Sequence, residues 1–187
     1  MQTNVMTLLV VMAAGGGFKP CGERDGVTIA SRPVAGSGFV ELLFTLETRG
    51  DLETMCSAAF GTAKIEPGEP HVNHRQVLEE SADTRVTYEQ IAPPVISPRD
   101  YVLSRTRTHP ASGGCRVDFV SIDDAPLRPG LLRLKRLAGS FVFEALGGGR
   151  VRVEHRIHMD PGGALAPFVV EPSRERLGAE WVRRIAK

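Results

Sequence analysis

The sequence predicts a single α+β domain in which a strongly curved antiparallel β-sheet packs against a long amphipathic C-terminal helix. Three observations lead there. Between Gly26 and His158 the apolar residues recur mostly with a period of two, the spacing of strands that bury one face. Twenty glycines and thirteen prolines are more than a helical bundle readily tolerates, because both residues break helices and punctuate turns. Beyond the stop formed by Asp160-Pro161-Gly162-Gly163, the residues Leu177, Trp181, Val182 and Ile185 fall at helical spacings, with Arg174, Glu175, Glu180, Arg183 and Arg184 over much of the remaining surface. At 187 residues, 42% of them apolar, the chain fills one core and is short for two.

Taken in order, Val27, Ile29 and Ser31 alternate with Thr28 and Ala30 in a first strand, and Val40 to Leu46 is a second, more continuously apolar run. Arg49 and Gly50 close that hairpin. Asp51 caps a short helix reaching Phe60, with Leu52, Met55, Cys56 and Ala59 on one face, and Gly61 ends it. Pro67, Gly68 and Pro70 make Thr62 to Pro70 a loop. Strands are then expected over His71 to Glu80, Arg85 to Ile91, Asp100 to His109, Cys115 to Ile122, Arg133 to Leu146 and Arg150 to His158. Ser81-Ala82-Asp83, Ser112-Gly113-Gly114 and Gly147-Gly148-Gly149 supply the turns of an antiparallel meander. In the closing helix Pro172 is expected to kink or restart the chain with Ser173 as a cap, and Pro167 sits near an earlier first turn. A sheet this curved under a helix leaves room for an internal cavity.

Charge is nearly balanced, 23 basic against 22 acidic residues, so no global field draws a polyanion and nucleic acid is not an expected partner. Residues 1–20 stand apart from the domain at 21–187. The apolar run from Val5 to Ala14, followed by Gly15, Gly16 and Gly17, is too short to span a bilayer and resembles the core and cleavage region of a secretory signal. No Lys or Arg precedes Lys19, however, so export and a cytoplasmic location both stay open. Phe18, Lys19 and Pro20 are the wrong neighbours for lipid attachment at Cys21. Cys21, Cys56 and Cys115 are odd in number and lack C-x-x-C spacing, so isolated, mostly buried thiols are expected, with neither a disulfide framework nor a zinc site.

The string Ile96-Ser97-Pro98-Arg99-Asp100-Tyr101-Val102, then Asp123-Asp124-Ala125-Pro126, Leu137-Ala138-Gly139-Ser140-Phe141 and Asp160-Pro161-Gly162-Gly163, resembles in order and spacing the START family of lipid-transfer domains. The resemblance runs from about Gly26 to Lys187. It implies a helix-grip fold, a sheet wrapped around a C-terminal helix that lids a tunnel for one sterol, phospholipid or other apolar molecule, with loops beside the lid gating entry. It breaks down between Phe60 and His71, where the family usually has an aromatic-rich helical stretch and this chain has prolines.

The resemblance also directs attention to Glu89 and Arg105, since the family often places an acid and a base on neighbouring strands inside the tunnel. Alternation puts Tyr101, Leu103, Arg105 and Arg107 on one face and Thr87, Glu89 and Ile91 on another, and the two faces coincide if the strands pair in register. A buried charge needs a partner, so Glu89 and Arg105 would require one another; the competing reading is an exposed cross-strand ion pair. The expected ligand-facing set is Glu89, Tyr101, Leu103, Arg105, Phe141, Phe168 and Trp181, with no cofactor and no metal. Arg99 and Asp100 are read as structural, tying the loop after Pro98 to the sheet.

No reactive constellation competes strongly. His71, His74, His109, His155 and His158 show no H-E-x-x-H spacing, and three-apart residues such as His155 and His158 point to opposite faces of a strand. Ala35-Gly36-Ser37-Gly38 is not a nucleophile elbow, and the adjacent carboxylates Asp123 and Asp124 diverge at a strand end. Binding or transfer of a hydrophobic molecule (a lipid, sterol-like or polyketide-like compound), with transient membrane contact, is therefore the leading expectation. An aromatase/cyclase-like enzyme using the same cup, and an interaction module with a filled cup, are the alternatives.

Overall fold

The computed structural model describes residues 17–67, 69, 71–93, 96–111, 113–123 and 125–187. The apolar run from Val5 to Ala14, Gly68 and Pro70 of the proline-containing loop, Ser112 of one turn and Asp124 of the carboxylate pair lie outside them. The elements are β1 (Lys19–Arg24), β2 (Val27–Arg32), β3 (Glu41–Arg49), α1 (Leu52–Phe60), β4 (Val72–Glu80), β5 (Thr84–Ile91), β6 (Arg99–Thr108), β7 (Cys115–Ile122), β8 (Leu132–Arg133), β9 (Arg136–Gly147), β10 (Arg150–Asp160) and α2 (Pro167–Ile185).

Nine strands form one antiparallel path, β1-β2-β3-β10-β9-β7-β6-β5-β4, and β8 adds to β6 in parallel. The meander expected from the turn chemistry covers β4 to β10. The chain reaches its far edge from β3 through α1, and β10 returns to pair with β3, from Arg150↔Arg49 to His158↔Glu41. Gly147, Gly148 and Gly149, all with φ between 61° and 82°, turn β9 into β10, a conformation costly to residues with a Cβ.

α1 begins as the sequence indicates: Asp51 accepts the Thr54 N–H at 2.8 Å and the Thr54 hydroxyl at 2.7 Å, and Gly61 ends the helix. Met55, Cys56, Ala59 and Phe60 are buried against the sheet. α2 lies across the concave face, where Gly178 meets the ring of Phe44; a Cβ at this position would overlap the edge of that ring at Cζ, with Cε2 at 2.5 Å and Cε1 at 2.8 Å. The core joins the two layers through Val27, Leu42, Phe44, Val117, Phe143, Val153, Ala179 and Val182, each at most 1% exposed.

Four expectations are corrected. β1 already includes Lys19 and Pro20, so the sheet starts before residue 21. The strand expected from Arg133 to Leu146 is two pieces, because β8 turns aside to pair with Arg99 and Asp100 of β6. α2 runs through Pro172 without restarting at Ser173. Its cap is Ala166 with Pro167 in the first turn, and Pro172 forfeits one backbone hydrogen bond in a helix held by packing. Finally, Cys56 on α1 and Cys115 on β7 are joined in a buried disulfide with a Cα–Cα distance of 6.1 Å, leaving only Cys21 free, and exposed.

Candidate functional site

A hollow of about 240 Å³ lies between α2 and the concave face of the sheet. Its walls are mainly apolar: Leu103, Phe119, Leu134, Leu137, Phe141 and Ile157 from the sheet, Leu177 and Trp181 from α2. One end is charged. Because Glu89 pairs with Tyr101 of β6 and with Arg75 of β4, and Thr87 with Leu103, the inward faces of three strands coincide there.

Glu89 is the centre of that end, with its side chain 1% exposed. Its carboxylate accepts from Arg105 Nη2 at 2.9 Å, Arg75 Nε at 3.1 Å, Tyr101 OH at 2.8 Å and Thr87 Oγ1 at 2.8 Å. Arg105 Nη1 also donates to Thr87 Oγ1 at 2.8 Å. Arg75 in turn grips Glu69 bidentately, Nη1 to Oε1 at 3.0 Å and Nη2 to Oε2 at 2.7 Å, and donates to the Lys64 carbonyl. The result is a chain of alternating charges, Glu69–Arg75–Glu89–Arg105, formally neutral. Burial pushes the Glu89 pKa upward, but attraction to Arg105 and Arg75 and the hydrogen bonds from Arg75 and Thr87 outweigh it and hold the group at about 2. Burial, reinforced by the Glu89 carboxylate, raises the Tyr101 phenol well above its usual value. Burial works against the Arg75 charge, yet Glu69 and Glu89 more than offset it and its pKa rises.

His155 forms part of the opposite, apolar wall and is 3% exposed. Its cross-strand neighbours are Phe44 on β3 and Phe141 on β9, and its ring stacks on Phe141 with centroids 3.9 Å apart. Burial pulls its pKa down to about 3, against a weaker opposing pull from the Ser140 carbonyl. Arg174 of α2, read from the sequence as surface, is also buried: it pairs with Glu171 at 2.7 Å and donates to the Val40 carbonyl at 3.0 Å, fastening the helix to the start of β3.

Of the seven residues expected to face a ligand, Glu89, Tyr101, Leu103, Arg105, Phe141 and Trp181 line the hollow. Phe168 does not. It is 80% exposed, because nine residues at about 100° each place it on the side of α2 opposite Leu177. Sequence reasoning missed Arg75, Glu69, His155 and Arg174. None of them had a usable local signal; Arg75 comes into view only once the register of β4 against an inward Glu89 is known.

The remaining candidates lie elsewhere. Arg99, 2% exposed, donates to the carbonyls of Ser97, Pro161 and Gly162, and Asp100 accepts from Tyr88 OH at 3.1 Å and Arg133 Nε at 2.8 Å; both hold loops to the sheet, away from the hollow. Asp123 pairs with Arg133 at the surface. His158 faces away from His155, as alternation requires, and meets Ser37 Oγ at 3.0 Å beside a second, polar hollow of about 230 Å³. There the Ser37 hydroxyl also accepts the Phe39 N–H at 3.1 Å, as a turn serine does. His109 has a ring nitrogen within 4.8 Å of both disulfide sulfurs, but sulfurs bonded to one another are not thiolate ligands.

A sheet gripping a helix over an apolar hollow with one buried polar end defines a class of ligand-cup domains. The chain belongs to the START domain family, whose profile matches residues 69–185. Among solved structures, it is similar to the STAR-related lipid transfer protein from Xanthomonas axonopodis, with 19% identity, 91% of this chain and 97% of that one covered, and a TM-score of 0.81. Human StAR-related lipid transfer protein 5 aligns with 19% identity over 93% of this chain and 88% of that one, with a TM-score of 0.75. The aromatase/cyclase Zhui from Streptomyces sp. R1128 is more distant, at 14% identity over 76% and 90% of the two chains and a TM-score of 0.50. Comparison with curated proteins gives no match.

Proposed function

We propose that this domain binds one hydrophobic small molecule in the hollow beneath α2 and carries it between surfaces without chemical change. The observation that carries the reading is the hollow itself: apolar along most of its length and polar at one end, where the charges are satisfied by each other. A noncatalytic role is supported by the state of its ionisable groups. The Glu89 carboxylate is fully engaged, the Tyr101 hydroxyl donates to it, and His155 titrates near 3, so none of these is poised to exchange a proton near neutral pH. The aromatase/cyclase alternative needs such a group.

At about 240 Å³ the hollow lies below the roughly 300 to 1,000 Å³ of sites for drug-sized ligands, so a sterol or acyl chain enters only if a wall yields. The wall at Gly61 and Glu69, the latter held by Arg75, is the one we assign to that movement. Exposed apolar side chains at Leu127, in the β7–β8 connection, and at Phe168 and Val169, in the first turn of α2, favour transient contact with a membrane surface. No helix among the described residues is long and apolar enough to cross a membrane. The buried disulfide favours export, since such bonds persist in oxidising compartments.

The test is organic extraction of the purified protein followed by mass spectrometry. The proposal expects an apolar molecule recovered, or reloaded, at close to one per chain. Failure to recover or load any of a panel of sterols, fatty acids and phospholipids would overturn it.

A further inference from the structure

His155 is a hydrogen-bonding group placed where an apolar tunnel has no need of one. Its Nδ1 lies 3.3 Å from the Ser140 carbonyl oxygen. A carbonyl only accepts, so Nδ1 carries the hydrogen and donates. Burial holds the ring neutral, with a pKa of about 3. A neutral imidazole has one hydrogen to place, so Nε2 is left as a bare acceptor. Side chains stand roughly perpendicular to a sheet, and Nε2 is at the far end of this one, directed from β10 toward the hollow that His155 lines. No partner for Nε2 exists among the described residues. Stacking on Phe141, with Phe44 and Phe119 within 5.9 Å, prevents the ring from swinging to seek one elsewhere.

An acceptor that faces the hollow is left without a donor when an apolar ligand fills the space, unless the ligand itself brings one, and a polar group desolvated without a partner is costly. The charged end of the hollow does not supply that donor, because Arg105 is already directed to Thr87 and Glu89. We infer that His155 is a ligand-recognition residue: its Nε2 accepts a hydrogen bond from a hydroxyl group on an otherwise apolar ligand. The inference rests on the ligand-binding reading above and narrows it to alcohols, of which sterols and long-chain fatty alcohols are two sources. Esters, hydrocarbons and ethers offer only acceptors or nothing at this point and would face Nε2 unpaired.

The experiment uses the full chain after delipidation and four probes: cholesterol, cholesteryl methyl ether, 1-hexadecanol and its methyl ether. Affinities are measured by native mass spectrometry, on the wild type and on His155→Phe, which keeps the stacked ring and removes the acceptor. The wild type is expected to bind at least one alcohol roughly tenfold more tightly than its ether, the size of one well-placed hydrogen bond. In His155→Phe that ratio falls to near one while ether affinity is kept. Which alcohol shows the preference distinguishes sterol from chain. The wild-type ratio needs no variant, so it reads out even where His155→Phe fails to fold. Equal wild-type affinity for alcohol and ether overturns the inference and leaves the binding function standing, as does an alcohol preference that survives His155→Phe. Failure of all four probes to bind, with other lipids bound, overturns the inference in the same way, whereas failure with every lipid removes the binding function as well.

Discussion

Replacing Arg105 by Leu probes the buried charges directly. In a simple buried pair, removing one partner strands the other at a cost of about 3 to 5 kcal/mol. Here the loss is shared. Without Arg105, Glu89 keeps Arg75 at 3.1 Å and the hydroxyls of Tyr101 and Thr87 at 2.8 Å, so the expected destabilisation is about 2 to 3 kcal/mol. Glu89→Leu is the more severe change, about 3 to 5 kcal/mol, because it leaves Arg105 with only Thr87 and orphans the Tyr101 hydroxyl. Arg75 is spared by its bidentate grip on Glu69. The double variant should then cost less than the sum of the singles by at least about 1 kcal/mol. The assay is urea denaturation, with midpoint and slope both recorded so that a change in cooperativity is not mistaken for stability. Two single effects below about 1 kcal/mol that simply add are the signature of exposed charges and would refute the reasoning.

Acid should destabilise the fold in two stages. The folded pKa of His155 is depressed from 6.5 to about 3, so its contribution is complete above pH 6.5 and is lost as pH falls toward 3, up to about 5 kcal/mol at about 1.4 kcal/mol per pH unit. Glu89 is depressed from 4.5 to about 2 and adds roughly 3 kcal/mol of loss between those values. His155→Phe should flatten the stability profile between pH 6 and 4, and an unchanged slope there would contradict its burial as a neutral ring. The Cys56–Cys115 bond closes a 59-residue separation, for which loop-closure entropy gives about 4 kcal/mol; alkylation of the unfolded, unreduced chain should modify Cys21 alone, and three modified thiols would disprove the pairing. Gly178→Val should drive a methyl group into the Phe44 ring, lower stability by about 1 to 3 kcal/mol and loosen α2. Unaltered thermal unfolding and hydrogen exchange in α2 would show that the helix does not sit that close.

The architecture was legible because local signals agreed with one another: period-two runs, glycine turns, the Asp51 cap and the apolar stripe of α2. The Glu89–Arg105 juxtaposition followed from alternation on two strands whose register the family resemblance made plausible. Arg75 was hidden because β4 has no apolar face to set its phase and shifts register between Val72 and His74 and again between Val77 and Glu79. Glu69 sits in a loop, where no periodicity tells inside from outside. Phe168 was misplaced although its angular position relative to Leu177 argued for the opposite side of α2. The disulfide joins cysteines that only the packing of α1 on β7 brings together, and no spacing rule reads that from the chain.

The most direct test of the account fills the hollow. Leu103 is 4% exposed and lines the hollow from β6, between Tyr101 and Arg105, and Leu103→Trp puts an indole into space that a ligand would occupy. The wild type and the variant are to be loaded with the same hydrophobic ligand and compared by native mass spectrometry, with thermal unfolding as a check on folding. The account predicts a one-to-one adduct on the wild type and none on a folded variant. An adduct of equal abundance on both would mean that the ligand binds somewhere other than beneath α2, and would contradict the central claim.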